Sequence, residues 1–124
     1  MSLEQSSLIT VKRMPRKGRG VFAKEFIRAG TTIERVPVLV VPIADIAASR
    51  LADYAFTWSR RRVALALGYG SLYNHSYTPN ARYLEAGRSA QEFVAIRDIV
   101  PGEEITVNYN GDPDDRSAMD FDVL

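Results

Sequence analysis

The sequence of 124 residues contains no cysteine and only one histidine. Without cysteine the chain forms no disulfide and no thiolate-ligated zinc site, and a single histidine cannot supply a tetrahedral metal site. A net charge of +1 argues against a dominant nucleic-acid surface. No apolar run approaches the roughly 18 residues of a membrane span, and the first residues lack the pattern of a signal peptide. We therefore expect a protein that is not secreted.

The composition, with 46% apolar and 25% charged residues, predicts one globular domain with a modest core. The charges are unevenly placed along the chain. Basic residues crowd the first twenty positions: Lys12, Arg13, Arg16, Lys17 and Arg19. Acidic residues crowd the end: Asp112, Asp114, Asp115, Asp120 and Asp122. Either these are two solvated faces, or the acidic end attracts a basic peptide.

Short strands dominate the predicted secondary structure. Alternation and β-branched residues predict them at 8–13, 20–26, 31–41, 80–84, 92–97 and 105–109, with an apolar run at 63–67. Pro37 and Pro42 are expected to keep the third strand short or at a sheet edge. Apolar residues at helical spacing predict one amphipathic helix over 43–55. Beyond Tyr109, Gly, Asp and Pro predict a mobile tail. Composition alone would also fit a β-sandwich or barrel.

The segment 74–80 (NHSYTPN) concentrates polar side chains directly after the apolar run. It contains the histidine, two asparagines, two hydroxyl residues of the Ser/Thr type and a proline, all of which favour ordered turns. A polar turn packed against a core must have its hydrogen bonds satisfied. The segment is therefore either an ordered structural turn or the binding site of a ligand.

Three motifs in the chain resemble those of one family. Residues 71–80 (SLYNHSYTPN) resemble RFxNHSCxPN, 102–109 (GEEITVNY) resemble GEELxxDY, and 17–23 (KGRGVFA) resemble GxGVFA. These are motifs of SET-domain protein lysine methyltransferases, and they occur here in the family's order. The resemblance covers residues 8–111. Segments 53–56, 64–70 and 79–82 are similar to the small stand-alone viral and bacterial members.

The resemblance implies a mainly β fold with one or two short helices: a β-clip-like arrangement of small curved sheets with a C-terminal pseudoknot. In that pseudoknot the segment ending near Tyr109 passes under the loop that contains Asn74 and His75. The implied organisation is an N-terminal tail at 1–7, a SET domain at 8–111 and an acidic tail at 112–124.

The resemblance also implies S-adenosyl-L-methionine as the cofactor and no metal. Six residues match the cofactor-binding positions: Lys17, Gly18, Arg19, Gly20, Asn74 and His75. From the residues alone, the two glycines fit a plain turn equally well, because glycine permits a positive φ as well as close approach of a ligand. A lone histidine is more often structural than catalytic. The family role of His75 is likewise binding, without proton transfer, and Asn80 is expected to bond buried backbone groups.

Tyr109 matches the family's catalytic tyrosine, beside the methyl group and the incoming lysine nitrogen. The alternative is a strand tyrosine with a buried ring and a solvated hydroxyl. Tyr83 matches the position that limits the number of methyl groups, which predicts mono- or dimethylation. Tyr54 and Phe56 match neighbours of the lysine channel, although Tyr54 could instead complete the apolar stripe of the predicted helix.

The chain also departs from the family pattern. Ser71 and Leu72 replace an Arg-Phe pair, Asn108 replaces a common aspartate, and only Phe121 remains as an aromatic lid after Tyr109. The function expected is methylation of a lysine in a basic, histone-like protein. The alternative is a catalytically weak module that binds cofactor or peptide. A nucleic-acid binder using Arg60–Arg62 has little support, since aromatics do not interleave with these basic residues.

Small viral relatives also imply a possible homodimer. The expected location is the cytoplasm for a bacterial chain or the host nucleus for a viral one. The partners expected are a lysine-containing basic protein or peptide, without nucleic acid or membrane.

Overall fold

A computed structural model describes residues 5–16 and 18–119. The predicted site residue Lys17 and the lid candidate Phe121 lie outside the described residues. In chain order the strands are β1 (Ile9–Met14), β2 (Gly18–Ala23), β3 (Thr32–Pro42), β4 (Phe56–Ser59), β5 (Arg62–Ala66), β6 (Asn74–His75), β7 (Ala81–Glu85), β8 (Ala90–Ala95) and β9 (Glu104–Val107). Two 3₁₀-helices, Ile43–Asp45 and Arg50–Tyr54, lie between β3 and β4.

The strands form two sheets. One has the order β1-β2-β9-β6, in which β9 and β6 run parallel and the other pairs are antiparallel. The other is antiparallel, with the order β4-β5-β3-β8-β7. Side chains from both sheets form one core, which includes Val21, Ile33, Ala64, Phe93 and Ile105. The mainly β fold with small curved sheets is confirmed, and within the described residues no helix has the length and apolar character to cross a membrane.

The expectation for β3 was wrong, because this strand has 11 residues and lies at the centre of its sheet. Up to Pro37 it pairs with β8, and from Val38 it pairs with β5. The carbonyl of Pro37 accepts a hydrogen bond from the N–H of Leu67, just beyond the end of β5. In an antiparallel strand the N–H and the C=O of one residue point towards the same neighbouring strand. The side on which Pro37 lacks an N–H is therefore the β5 side, beyond the end of β5. Pro37 thus removes no hydrogen bond between β3 and β5.

The helix predicted over 43–55 is not formed as one element. The first 3₁₀-helix ends at Asp45, and Ser49 caps the start of the second. The Ser49 hydroxyl accepts the N–H of Leu51 and donates to the carbonyl of Ile46. Such local side-chain bonds compete with a continuous helix. The expected apolar stripe is mostly exposed, with Leu51 49% and Tyr54 47% accessible, whereas Ile46 is buried.

Residues 110–119 are bonded to the domain, which contradicts the expectation of a mobile tail for that part of the chain. The side-chain amide of Asn108 donates to the carbonyl of Asp115 at 2.6 Å, and that of Asn110 donates to the carbonyl of Ser117 at 3.0 Å. The hydroxyl of Tyr77 also donates to the Ser117 carbonyl, at 3.1 Å. The chain after β9 therefore packs against segment 74–80.

Candidate active site

A cleft of about 510 Å³ opens between the first hairpin, the second 3₁₀-helix and the segment leading into β6. Of the predicted site residues, the cleft is lined by Gly18, Arg19, Tyr54, Phe56, Asn74, Tyr83 and Tyr109. Gly20 and His75 are not among the lining residues. Residues that were not among the predicted site residues also line it, namely Arg13, Asp53, Ala55, Thr57, Ser71, Leu72 and Tyr73.

The glycine-rich turn packs closely against the start of β6 and β9. Asn74 donates its side-chain amide to the carbonyl of Arg19 at 3.0 Å and to Oε2 of Glu104 at 2.7 Å. A Cβ added at Gly20 would lie 2.7 Å from the same Glu104 oxygen and 3.0 Å from the Asn74 amide nitrogen. A side chain at Gly20 would have to displace the ends of the Glu104, Met14 and Asn74 side chains, whereas Gly18 has a positive φ of 75°.

His75 is buried where β6 pairs with β9, in the contact between segments 74–80 and 104–110 that we call the crossing. Its Nδ1 accepts the N–H of Tyr109 at 2.9 Å, which requires the neutral imidazole with its proton on Nε2. Burial lowers its pKa, which also favours the neutral form. The ring packs edge-on against Tyr77, with centroids 4.6 Å apart. His75 thus orients the main chain of Tyr109 and does not face the cleft.

Asn80 joins the same crossing from the other end. Its amide nitrogen donates to the carbonyl of Glu104 at 2.8 Å, and its amide oxygen accepts the N–H of Thr106 at 2.9 Å. The expected bonding of buried backbone groups by Asn80 is confirmed. The side chain is 1% exposed, so both bonds form away from solvent.

Tyr109 is fixed at three points. Its hydroxyl donates to the carbonyl of Tyr73 at 2.6 Å, its N–H donates to His75, and its carbonyl accepts the hydroxyl of Tyr83 at 3.2 Å. Burial, together with nearby Glu104, Tyr54 and Tyr83, raises the pKa of Tyr109 to about 12. The phenol is therefore neutral at physiological pH and is a hydrogen-bonding group, not a base. The alternative of a strand tyrosine with a solvated hydroxyl does not match the structure, because Tyr109 lies after the end of β9 and its hydroxyl is bonded to the Tyr73 carbonyl.

Aromatic rings form the opposite wall of the cleft. Phe56 meets Tyr83 edge-to-face with centroids 4.7 Å apart, and Phe93 lies behind both rings. Burial raises the pKa of Tyr83. Tyr54 ends the second 3₁₀-helix and is half-exposed at the cleft, so the alternative that placed it in the core is wrong.

The sequence did not single out Tyr73 and Glu34, which belong to the support of the cleft. Tyr73 occupies the variable position of its motif, so no motif residue marks it. Glu34 follows a β-bulge between Thr32 and Glu34, where the alternation of β3 breaks and both Ile33 and Glu34 are buried. A period-2 pattern therefore gives no signal for this carboxylate.

Comparison with known proteins identifies the family. The profile of the SET domain family matches residues 18–110. The histone-lysine N-methyltransferase of Schizosaccharomyces pombe that is specific for H3 lysine-37 is 35% identical over 108 residues, covering 83% of this chain and 74% of that protein. The histone-lysine N-methyltransferase set9 of Aspergillus oryzae is 33% identical over 98 residues, but the match covers 74% of this chain and only 16% of that larger protein.

A solved structure agrees with these sequence matches. A Plasmodium falciparum protein provisionally assigned as a histone methyltransferase superimposes with a TM-score of 0.73 and 28% identity, covering 86% of this chain and 95% of that one. The chain belongs to the SET-domain family, and the class that this family and its curated relatives define is protein-lysine N-methyltransferase. These relatives come from fungi and from Plasmodium, so the likeness to viral and bacterial members stays a prediction.

Proposed function

We propose that this chain transfers a methyl group from S-adenosylmethionine to the side chain of a lysine in a basic protein. The observation that carries the proposal is the convergence of Gly18, Asn74 and Tyr109 on one cleft, although they are far apart in the sequence. The histone substrates in the names of the relatives favour a histone-like protein as the acceptor.

The residues of the first hairpin fit a cofactor of this kind. The cleft volume of about 510 Å³ lies within the range of about 300–1,000 Å³ that small-molecule sites occupy. Gly18, Arg19 and Asn74 would bind the cofactor largely through main-chain groups. When bound, S-adenosylmethionine supplies a methyl group made electrophilic by its positively charged sulfur. Asn74 is fixed in advance by Arg19 and Glu104, which favours binding without rearrangement.

Tyr109 orients the reacting groups. Methyl transfer is an in-line displacement, so alignment of the nitrogen, methyl carbon and sulfur supplies much of the rate. A phenol fixed through its hydroxyl, N–H and carbonyl can maintain that alignment. Because its pKa is about 12, Tyr109 keeps its proton throughout the neutral range.

The acceptor lysine must be uncharged before it can react. Its ordinary pKa is about 10.4, so nearly all of it carries a proton at neutral pH. The apolar and aromatic walls of the cleft, formed by Phe56, Leu72 and Tyr83, disfavour the charged ammonium and lower its pKa. The proton then leaves to solvent, and no side chain is assigned as a general base.

The charge distribution supports a basic substrate segment. Gly111 lies beside Tyr83, with its Cβ position 3.5 Å from the Tyr83 hydroxyl. The exposed Asp112 and Asp114 lie within three residues of Gly111, so acidic residues follow the part of the chain that contacts Tyr83. A location in the cytoplasm or a host nucleus and a possible homodimer, both expected from the sequence, belong to this proposal as well.

The test is methyl transfer from labelled S-adenosylmethionine to histones and to a basic-protein extract. Tyr109→Phe keeps the ring and removes the hydroxyl, and we expect it to lower kcat by about a hundredfold through loss of alignment. Tyr69→Phe, which removes a hydroxyl outside the cleft, is the matched control and should transfer label like the wild type. Equal transfer by the wild type and Tyr109→Phe would contradict the role of Tyr109.

A catalytically weak binding module is the second candidate. The departure that favours it is the run of acidic residues at 112–115, where an aromatic lid is expected from the resemblance. Calorimetry that detects tight cofactor binding, together with no transferred label, would support this candidate over the enzyme.

The Tyr83 hydroxyl sets the degree of methylation in this proposal. It donates to the carbonyl of Tyr109 and narrows the space around the acceptor nitrogen. Tyr83→Phe removes that hydroxyl and leaves room for additional methyl groups. We expect the wild type to give mainly mono- and dimethyl-lysine and the variant to shift towards higher states in mass spectra. An unchanged product distribution would exclude this role.

A further inference from the structure

A buried carboxylate lies behind the cleft and touches neither cofactor nor lysine positions. Glu34 on β3 is 3% exposed. Its Oε1 accepts the hydroxyl of Tyr73 at 2.7 Å, and its Oε2 accepts the N–H of Tyr69 at 3.1 Å. Burial raises the pKa of Glu34 against these hydrogen bonds, so keeping a carboxylate at this position carries a free-energy cost. Replacing both partners of such a hydrogen bond by apolar groups of the same shape can be nearly neutral for stability, which calls for another reason for the presence of Glu34.

The two bonds of Glu34 close the turn that leads into the cleft. Tyr69 and Tyr73 are four positions apart, and the two oxygens of one carboxylate fix both ends of that segment. The turn also packs tightly on its surroundings. A Cβ at Gly68 would lie 3.2 Å from Oε2 of Glu34, and one at Gly70 would lie 2.7 Å from the Cβ of Ala66.

Tyr73 connects this turn to the proposed catalytic residue. Its ring is 2% exposed and stacks on Phe93, with centroids 4.2 Å apart and planes inclined by 15°. Its hydroxyl is fixed by Glu34, and its carbonyl accepts the hydroxyl of Tyr109 at 2.6 Å. A displacement of the Tyr73 ring would therefore move the main chain to which Tyr109 is bonded.

We propose that Glu34 is a positioning residue for methyl transfer, because it fixes Tyr73, whose carbonyl oxygen orients the hydroxyl of Tyr109 in the cleft. The expected fall in kcat rests on the proposed function. The expected effect on the position of the Tyr109 hydroxyl does not. Glu34 itself contacts no reacting atom.

The kinetic test is a double-mutant cycle between Tyr73→Phe and Tyr109→Phe. Tyr73→Phe keeps the stacked ring and removes only the hydroxyl that Glu34 binds. We expect it to lower kcat about tenfold with little change in KM, and to have no further effect in the Tyr109→Phe background. Tyr69→Phe is the matched control, since Tyr69 reaches Glu34 through its main chain. Additive losses in the cycle would overturn the proposal.

Variants of Glu34 extend the same test. Glu34→Gln keeps the shape and one acceptor oxygen, so we expect a smaller fall in kcat than for Glu34→Ala. If Glu34→Ala does not fold, the comparison of Glu34→Gln with Tyr73→Phe remains, and both should give a fall in kcat that disappears in the Tyr109→Phe background. A normal kcat in both variants would overturn the proposal.

A second readout does not depend on activity. NMR detects the exchange of the Tyr109 hydroxyl proton with water, assigned by its absence in Tyr109→Phe. We expect about tenfold faster exchange in Tyr73→Phe and Glu34→Gln than in the wild type or Tyr69→Phe, because the bond to the Tyr73 carbonyl is loosened. Unchanged exchange would overturn the proposal. If the wild type transfers no label, that result counts against the proposed function. The exchange rate of the Tyr109 hydroxyl proton would still decide whether Glu34 positions Tyr109.

Discussion

The five-stranded sheet and the crossing of segments 74–80 and 104–110 are stabilised in different ways. In the sheet, buried apolar side chains such as Ile33, Val36 and Phe93 pack without directional bonds. In the crossing, asparagine and histidine side chains bond to particular backbone atoms of β9 and the residues after it.

The sheet therefore contributes mainly to the stability of the fold, whereas the crossing also determines the positions of the site residues. Apolar packing tolerates substitutions that conserve volume. They lower the free energy of unfolding but change the position of the backbone little. A buried amide that bonds to a backbone group determines where that group lies, and its removal leaves an unsatisfied partner. Tyr109 lies two residues after the end of β9 and is bonded to His75, so the crossing determines its place. We therefore expect changes in the sheet to affect mainly stability, and changes in the crossing to affect stability and turnover together.

The largest effect on stability is expected in the sheet. Ile33→Ala removes a side chain that is 1% exposed and should lower the free energy of unfolding by about 2–5 kcal/mol, because a cavity replaces packed atoms. Urea denaturation measures this loss, and Ile33→Val should cost about 0.5–1.5 kcal/mol. The kcat of the folded fraction should stay within about twofold of the wild type. A tenfold fall in kcat would contradict the expectation that changes in the five-stranded sheet affect mainly stability.

Asn80→Ala tests the crossing. It removes the bonds to the Glu104 carbonyl and the Thr106 N–H, and we expect a loss of about 2 kcal/mol in the free energy of unfolding. Because β9 then shifts relative to segment 74–80, kcat should also fall, by about tenfold or more. Asn110→Ala is the control, since its amide bonds to the following segment. A stability loss with normal kcat would show that the crossing does not set the geometry of Tyr109.

Gly20→Ala tests the contact between the first hairpin and the crossing. The added methyl group would displace the Asn74 amide and the Glu104 carboxylate, so we expect about tenfold weaker binding of S-adenosylmethionine, close to 1.4 kcal/mol. Gly70→Ala introduces a comparable clash away from the hairpin and should reduce stability without that loss of affinity. Calorimetric titration with S-adenosylmethionine measures the affinity of each variant. Equal affinities of Gly20→Ala and Gly70→Ala would contradict a role of the first hairpin in binding the cofactor.

The smallest effect concerns Glu34, a polar group within the apolar sheet. Its folded-state pKa is raised above 4.5 by burial, against hydrogen bonds from Tyr73, the N–H of Tyr69 and the side chain of Gln5. Above pH 4.5 the unfolded chain releases this proton first, so the stability of the wild type relative to Glu34→Gln falls as pH rises through the folded-state pKa. Thermal unfolding across that range measures the difference, and parallel curves for the two proteins would contradict it.

The parts of the fold that follow local rules could be predicted from the sequence. The hairpin of β7 and β8 follows its alternating pattern, and the resemblance indicated the family and seven of the fourteen residues lining the cleft. The length of β3 could not be predicted, because the effect of Pro37 depends on which strand its missing N–H would face. The residues after Tyr109 also have too few apolar side chains to predict order. Their position depends on bonds from Asn108 and Asn110, which only the folded chain brings within reach.

The central claim is that the first hairpin, segment 74–75 and Tyr109 form one binding cleft for the methyl donor. The most direct measurement is an NMR titration of amide resonances with S-adenosylhomocysteine, the demethylated product. We predict saturable shifts for Gly18, Arg19, Asn74 and Tyr109, and no shifts at the turn between β7 and β8 around Gly87. Shifts absent from these four residues, or confined to a different surface, would contradict the account.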